Sequence, residues 1–195
     1  MTLNEIQNLI DRSLFATLAY ADEEGRIQVR RVFCTWHRGL AGHLISTNTG
    51  SGHVQHFLKD GRASLYFSDD ARFEGLNLTG NVTVHFERPW KELLWHDGDE
   101  KYYPKGIDDE DYCILEFTAE EGRYYRYDGK GILTASEMAA WDVGRSYADT
   151  YTPTLSDSTS EEGQKTHDTE RSVRNQTPSG PEQTLSGFDL RVLCQ

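Results

Sequence analysis

The chain has 195 residues, enough for one domain with residues to spare, and its mean hydropathy is −0.68. It has 20 lysines and arginines against 32 aspartates and glutamates, which gives a formal net charge of −12. This balance excludes a general nucleic-acid-binding surface, which would have to be cationic, so an anionic ligand needs a local basic patch.

Alternating apolar residues predict strands through most of the first 130 residues, with short helices between them. A first helix, capped by Thr2 or Asn4, has an apolar face made of Leu3, Ile6, Leu9 and Ile10. The predicted strands cover residues 15–20, 26–36, 43–47, 63–67, 73–86, 112–117 and 122–127. Further short helices are predicted at residues 51–59 and 90–95, the second opened by Pro89.

Several of these elements carry more specific expectations. Residues 22–25 form a predicted hairpin turn, and Gly80 indicates a bulge or a close backbone approach inside its strand. The helix at residues 51–59 is expected to end at Gly61 and to bury Val54, Phe57 and Leu58. Alternation in residues 26–36 places Ile27, Val29, Arg31, Phe33 and Thr35 on one face and Gln28, Arg30, Val32 and Cys34 on the other.

Six or seven mostly hairpin-linked strands with short helices predict a mainly β fold, a small antiparallel barrel, in residues 1–145. Residues 146–187 are rich in Ser, Thr, Glu, Gly and Pro, so we predict a polar, disordered tail. Residues 188–195 form a short apolar segment that either docks as a strand, on this domain or on a partner, or stays an unstructured end.

The segment from residue 44 to residue 57 predicts a phosphate site. An apolar strand runs into hydroxyl residues, two glycines and a histidine, and then into a short amphipathic helix. Hydroxyl groups and open backbone N–H groups at a helix start are suited to bind a phosphate. Arg30 and Arg31 precede this segment and supply the positive charge. We therefore predict the phosphate end of a bound cofactor here.

Each of these residues can also be explained by a structural role that needs no ligand. Arg30 and Arg31 could be solvated strand residues, and Ser51 is a good helix N-cap whether or not phosphate binds. His53 could be an ordinary surface residue, although its loop favours a ligand role. The acidic run at residues 108–111 is expected to be a solvated loop, because it lacks the spacing of a calcium-binding loop. We predict no metal site.

The order of these parts resembles the FMN-binding split barrel of the pyridoxamine 5'-phosphate oxidase-like family, over roughly residues 3–130. The general stress protein branch of that family is the most similar. Its features are a Glu-Leu-Trp-like helix, an aromatic-Pro-x-Gly loop and a final aromatic strand. Here they read Glu92-Leu-Leu-Trp95, Tyr103-Pro-Lys-Gly106 and Tyr125-Arg-Tyr-Asp128.

The resemblance implies a cofactor site. Arg30 or Arg31 would approach the flavin phosphate or ribityl chain, and Val32 and Phe33 would place backbone groups along the isoalloxazine ring. The remaining positions follow in chain order. Ser46 and Thr47 would bond ribityl or phosphate oxygens, Ser51, Gly52 and His53 would cradle the phosphate, and Tyr127 would lie near the cofactor of the partner subunit. The resemblance thus implies a homodimer with the cofactor at the subunit interface.

Two departures from the family pattern bear on function. Gly52 and His53 stand where the phosphate loop often has a lysine or arginine, and a neighbouring phosphate would favour the charged form of the histidine. Trp36 replaces a substrate-binding lysine, and no Arg-x-His-type motif follows Tyr127, so we do not expect oxidation of pyridoxamine 5'-phosphate.

The resemblance implies an FMN-dependent oxidoreductase acting on a small molecule. The alternative is a non-catalytic flavin-binding protein of the stress response, serving as a carrier, buffer or sensor. The flavin would supply the chemistry, and the sequence identifies no general acid or base. A deazaflavin, haem or no cofactor at all are the alternatives to FMN.

The cysteines and the N-terminus indicate the compartment. Cys34, Cys113 and Cys194 are odd in number, far apart and without a CxxC pattern, so neither a disulfide framework nor a zinc site is expected. The N-terminus lacks the basic and then apolar pattern of a signal peptide, and no apolar run predicts a membrane span. We therefore expect a reduced, cytoplasmic protein without membrane or nucleic-acid partners.

Overall fold

The computed structural model describes residues 2–34 and 36–143, so the predicted tail segments 146–187 and 188–195 lie outside the described residues. The helices are α1 Leu3–Asp11, α2 Gly52–Phe57, α3 Arg88–Leu94 and α4 Ala135–Val143. The strands are β1 Phe15–Ala21, β2 Ile27–Phe33, β3 Trp36–Arg38, β4 Gly42–Asn48, β5 Arg62–Asp69, β6 Glu74–His85, β7 Tyr112–Arg126 and β8 Gly129–Thr134.

The described strands form one antiparallel sheet in the order β2-β1-β5-β6-β7-β4-β3. β7 is 15 residues long and pairs along one side with β6. Along its other side it pairs first with β4 and then with β8. The sheet curls into an open half-barrel in which β2 approaches β4 without pairing with it. The predicted mainly β, split-barrel fold is confirmed.

Three element predictions differ from the structure. The single strand predicted at residues 26–36 is divided into β2 and β3. The two strands predicted at residues 112–117 and 122–127 are one continuous strand, because Gly122 is a site of close packing and not a turn: its Cβ would lie 3.1 Å from Leu78. Leu58, expected to be buried, is 51% exposed because α2 already ends at Phe57.

Helix α1 and the inner face of the sheet build the core. The Thr2 side chain accepts a hydrogen bond from the Glu5 backbone, and the Glu5 carboxylate accepts one from the Thr2 N–H at 2.6 Å. This capping box selects Thr2 over Asn4 as the cap. Ile6, Leu9 and Ile10 are at most 1% exposed, and each such burial contributes about 2–3 kcal/mol.

A second apolar cluster covers part of the outer face. It comprises Leu44, Leu94, Tyr103, Tyr112 and Ile114. These residues join α3 and the loop between α3 and β7 to strands β4 and β7. The Lys91 ammonium, on α3, is buried and donates to the Asp109 carbonyl oxygen at 2.9 Å. The acidic loop is therefore docked on the sheet, beside the end of β4.

Neither a membrane-spanning helix nor a reactive thiol is found in the described part of the chain. None of its helices is long and apolar enough to cross a membrane. Cys34 and Cys113 are free and buried, and burial raises the pKa of the Cys34 thiol to about 12. Cys194 lies outside the described residues. Neither described thiol is a candidate nucleophile at neutral pH.

Gly80 marks a close backbone approach, as its position in the strand predicts. The register of β6 against β7 shifts between Thr79 and Gly80, and a Cβ at Gly80 would lie 2.0 Å from the Thr118 carbonyl oxygen. We expect Gly80→Ala to lower the free energy of unfolding by roughly 2–3 kcal/mol, because the β7 backbone at Thr118 would have to shift to make room for the Cβ. The matched control is Gly129→Ala, because the added Cβ would there meet no atom of the described residues within 4 Å beyond its chain neighbours. Urea unfolding with equal midpoints for the two variants would contradict this assignment.

His43 makes the fold sensitive to acid. Its ring is fully buried beside Phe67, and burial, followed by the nearby His37, lowers its pKa from 6.5 to about 3. Below about pH 6.5 the unfolded chain binds a proton that native His43 does not, so stability falls as the pH drops toward 3. We expect His43→Leu to reduce the slope of unfolding free energy between pH 6.5 and 5 by up to about 1.4 kcal/mol per pH unit. Thermal or urea unfolding at several pH values measures this. Leu65→Ala, which truncates a fully buried side chain without a titratable group, should lower stability but keep the parent slope.

Candidate cofactor site

The candidate site lies where β2 approaches β4, at the split of the barrel. Gln28, Arg30 and Val32 face inward on β2, whereas Ile27 and Val29 on the opposite face are 69% and 62% exposed. Of the two adjacent arginines, only Arg30 therefore points toward the start of α2. Arg30 lies close to His53 of α2. The pKa of His53 is lowered to about 4, mainly by burial and to a smaller extent by the charge of Arg30.

His53 is a buried, neutral side chain in this cluster. It is 1% exposed, and its Nε2 lies 3.0 Å from Thr47 Oγ1 and 3.4 Å from Ser51 Oγ. Its buried Nδ1 has no hydrogen-bond partner within the described residues. The imidazole is thus enclosed and uncharged, so a cationic His53 next to the phosphate would first have to overcome this burial. In the conformation described, the contribution it can make to an anion is its backbone N–H.

The loop before α2 is held by Asp111, which the sequence interpretation assigned to a solvated acidic run. The Asp111 carboxylate accepts from the Gly50 N–H at 3.0 Å and from the Asn48 amide at 2.6 Å. The Thr49 N–H donates to the Asp111 carbonyl oxygen at 2.8 Å. The backbone donors of Thr49 and Gly50 are therefore already used, and those open to an anion are at Gly52 and His53.

The pairing of β4 with β7 explains why Asp111 is there. Asn48 pairs with Tyr112, so the residue before Tyr112 must lie beside the residue after Asn48. Once these strands are known to be antiparallel neighbours, the chain positions alone bring Asp111 to the loop. The sequence shows both strands but not their pairing, and this is why Asp111 was missed.

The other predicted site residues lie on different surfaces. The Arg31 guanidinium lies 4.5 Å from the centroid of the Phe15 ring, on the outer face of β2. Phe33 also contacts Phe15, at 5.4 Å between ring centroids, and Val32 is 2% exposed in the core. Ser46 faces the side of β4 opposite to Thr47, and Tyr127 is 79% exposed beyond the end of β7. The structure brings together Arg30, Thr47, Ser51, Gly52 and His53.

The Arg30 guanidinium forms no ion pair with the described part of the chain. Within residues 2–34 and 36–143, no carboxylate lies within 4.0 Å of its guanidinium, whereas Arg12, Arg62 and Arg126 all form ion pairs. Gly52 adds open space, because no atom of the described residues outside its chain neighbours lies within 4 Å of the position that a Cβ would take. An unpaired, half-buried guanidinium beside open backbone donors fits a phosphate group. The residues present therefore suit the phosphate end of FMN.

The described sheet is similar to known proteins. Residues 2–126 match the family model described as pyridoxamine 5'-phosphate oxidase. A solved structure from Clostridium acetobutylicum is of a protein related to general stress protein 26 of B. subtilis, of the pyridoxinephosphate oxidase family. It is 38% identical, with a TM-score of 0.63, over 70% of this chain and 96% of that chain.

Two more distant structures share the fold. General stress protein 26 from Bacillus anthracis is 12% identical over 69% of this chain and 99% of that chain, with a TM-score of 0.55. A heme binding protein from Mycobacterium smegmatis is 21% identical over 72% of this chain and 61% of that chain, with a TM-score of 0.51. A comparison with curated proteins finds no match. The family model and the Clostridium relative show that this chain belongs to the pyridoxamine 5'-phosphate oxidase-like family, in its general stress protein branch.

Proposed function

We propose that this chain binds FMN at the split between β2 and β4 and is an FMN-dependent oxidoreductase acting on a small molecule. The observation that carries the proposal is Arg30, a half-buried arginine beside the start of α2 whose guanidinium has no carboxylate partner in the described domain. In a chain with a net charge of −12, such a cation is best explained by an anionic ligand. Family membership supports a flavin as that ligand.

The proposed cofactor lies along β2. Arg30 and the N–H groups of Gly52 and His53 hold the phosphate, and Ser51 lies at the same helix start. Ser46 and Thr47 of β4 are the proposed partners of ribityl oxygens. In the described sheet β2 is an edge strand that pairs only with β1, so the other edge of this strand can offer backbone donors and acceptors near Val32 and Phe33 to the ring.

The proposed assembly is a homodimer. Ile27 and Val29 leave an apolar surface on the outer face of the edge strand, and Tyr127 is 79% exposed next to Arg126. Exposed apolar side chains on an edge strand favour an interface. In the proposed dimer, Tyr127 contributes to the cofactor site of the second subunit. The buried, free thiols Cys34 and Cys113 support a cytoplasmic protein.

Bound FMN would supply hydride or electron transfer, and the residues of this chain bind and orient it. The described site holds no side chain that we assign as a general acid or base. His53 is neutral and enclosed, and the raised pKa of Cys34 keeps that thiol protonated. We therefore place the small-molecule substrate at the ring end of the site, near Val32 and Phe33, and not at the phosphate cluster.

The two adjacent arginines allow a matched test of the phosphate site. We expect Arg30→Gln to weaken FMN binding roughly 10- to 100-fold, because it removes a charge-assisted contact to the phosphate. Arg31→Gln changes the net charge equally on the opposite face of β2 and should leave the dissociation constant within about twofold of the parent value. Titration of FMN into purified protein, followed by flavin fluorescence, gives both constants.

Other outcomes of this titration are equally informative. A parent protein that retains no FMN contradicts the proposal. Loss of FMN binding in Arg31→Gln but not in Arg30→Gln would show that the phosphate binds on the outer face of the sheet. Tight FMN binding with no turnover of a reduced nicotinamide donor would contradict the oxidoreductase assignment and favour a flavin carrier, buffer or sensor.

A further inference from the structure

A surface cavity of about 310 Å³, broadly open to solvent, adjoins the proposed phosphate site between the β1–β2 turn and α2. Gly52 and Gln28 both line it. Gln28, Arg30 and Val32 follow one another on the same face of β2, and such positions are about 7 Å apart along a strand. A cofactor with its ring near Val32 and its phosphate at Arg30 would therefore direct any further extension toward Gln28 and into this cavity.

The wall of the cavity opposite α2 is acidic. Asp22, Glu23 and Glu24 of the β1–β2 turn line it, whereas Lys59 is its one lysine or arginine. Burial raises the pKa of Asp22, but hydrogen bonds from Gln28 and Arg26 outweigh this effect and lower it below the ordinary value. The contact with Lys59 lowers the pKa of Glu23. At neutral pH Asp22 and Glu23 are therefore anionic.

The cations near this turn are already engaged. The Lys59 ammonium lies 2.7 Å from a carboxylate oxygen of Glu23. The Arg26 guanidinium contacts Asp22 at 3.0 Å and Glu24 at 2.7 Å. A second anionic group entering the cavity would meet three carboxylates and would have to compete with them for both cations. The cavity next to the phosphate site therefore disfavours a further negative charge.

We propose that the acidic turn formed by Asp22, Glu23 and Glu24 makes the site selective for a flavin mononucleotide over cofactors that carry a second anionic group beyond the phosphate held by Arg30. This inference rests on the proposed flavin function. FAD, whose chain continues as a second phosphate and an adenosine, is the cofactor to be discriminated. A deazaflavin with an anionic tail would be disfavoured in the same way.

Dissociation constants of the full chain for FMN, FAD and riboflavin test the proposal. We expect the parent protein to bind FMN at least about tenfold more tightly than FAD, an effect of charge at about 7 Å in a partly solvated site. The variant Glu23→Gln/Glu24→Gln removes two charges and frees Lys59, so it should narrow the FMN-to-FAD ratio at least about threefold. Riboflavin, which has no phosphate, should bind the parent and the variant alike.

A matched control removes the same charge elsewhere. Glu120 and Glu121 are adjacent glutamates on β7, which β5 and β6 separate from β1. The variant Glu120→Gln/Glu121→Gln should keep the parent ratio of FMN to FAD affinity. Raising the salt concentration from 0.05 to 0.5 M should narrow the parent ratio, since the carboxylates of the turn are partly exposed to screening ions.

Three results would overturn the proposal. Equal affinity of the parent for FMN and FAD means that no selectivity exists, although the proposed FMN function stands. A ratio unchanged in Glu23→Gln/Glu24→Gln means that the discrimination is steric and not electrostatic. A chain that binds none of the three flavins contradicts the proposed function itself, and the selectivity with it.

Discussion

The long strand β7 is the element on which the rest of the domain depends. It is the strand in the described sheet that pairs with three others: β6 along one side, and β4 and β8 in succession along the other. The register shift at Gly80 lies between the segments of β7 that pair with β4 and with β8, and the β6 backbone there passes too close to β7 for a side chain. The curl of the sheet beyond β6 then brings the edge strand β2 toward β4. Without that curl, Arg30 and the start of α2 would be on distant strands.

The same pairing organises the loop before α2. Because Tyr112 is opposite Asn48, Asp111 meets the loop and uses the backbone donors at Thr49 and Gly50. This leaves the open donors at the helix start, next to the Arg30 guanidinium, which has no carboxylate partner among the described residues. A buried, neutral His53 lies beneath them and bonds to Thr47. Positive charge at the site thus comes from a single arginine and from backbone dipoles, in a chain that is otherwise strongly acidic.

From the sequence, the strands and their overall arrangement could be predicted better than the contacts between residues on different strands. Alternation in residues 15–33 identified β1 and β2 and separated the face of Arg30 from that of Arg31, but it could not say which face points to the loop. That choice depends on how the sheet curls, and only long-range pairing decides it. Similarly, β8 was missed because glycines and a lysine interrupt its apolar pattern. Helix α4 was missed because, among its described side chains, only Met138 and Trp141 pack against the core.

Burial explains the remaining difference at the candidate site. A histidine in a glycine- and serine-rich loop is expected at the surface, yet His53 is enclosed because its neighbours in α2, Val54 and Phe57, also face the core. Solvent exposure of a side chain cannot be inferred from its loop alone. The proposed phosphate site does not depend on a charged His53, because in this proposal Arg30 supplies the positive charge.

The most direct measurement is a crystal structure of the protein grown with FMN. Under our proposal, the flavin phosphate lies within hydrogen-bonding distance of the Arg30 guanidinium and of the Gly52 and His53 backbone N–H groups, with the ring along β2 toward Val32. A phosphate on the Arg31 side of the sheet, or a split between β2 and β4 that holds no flavin, would contradict it.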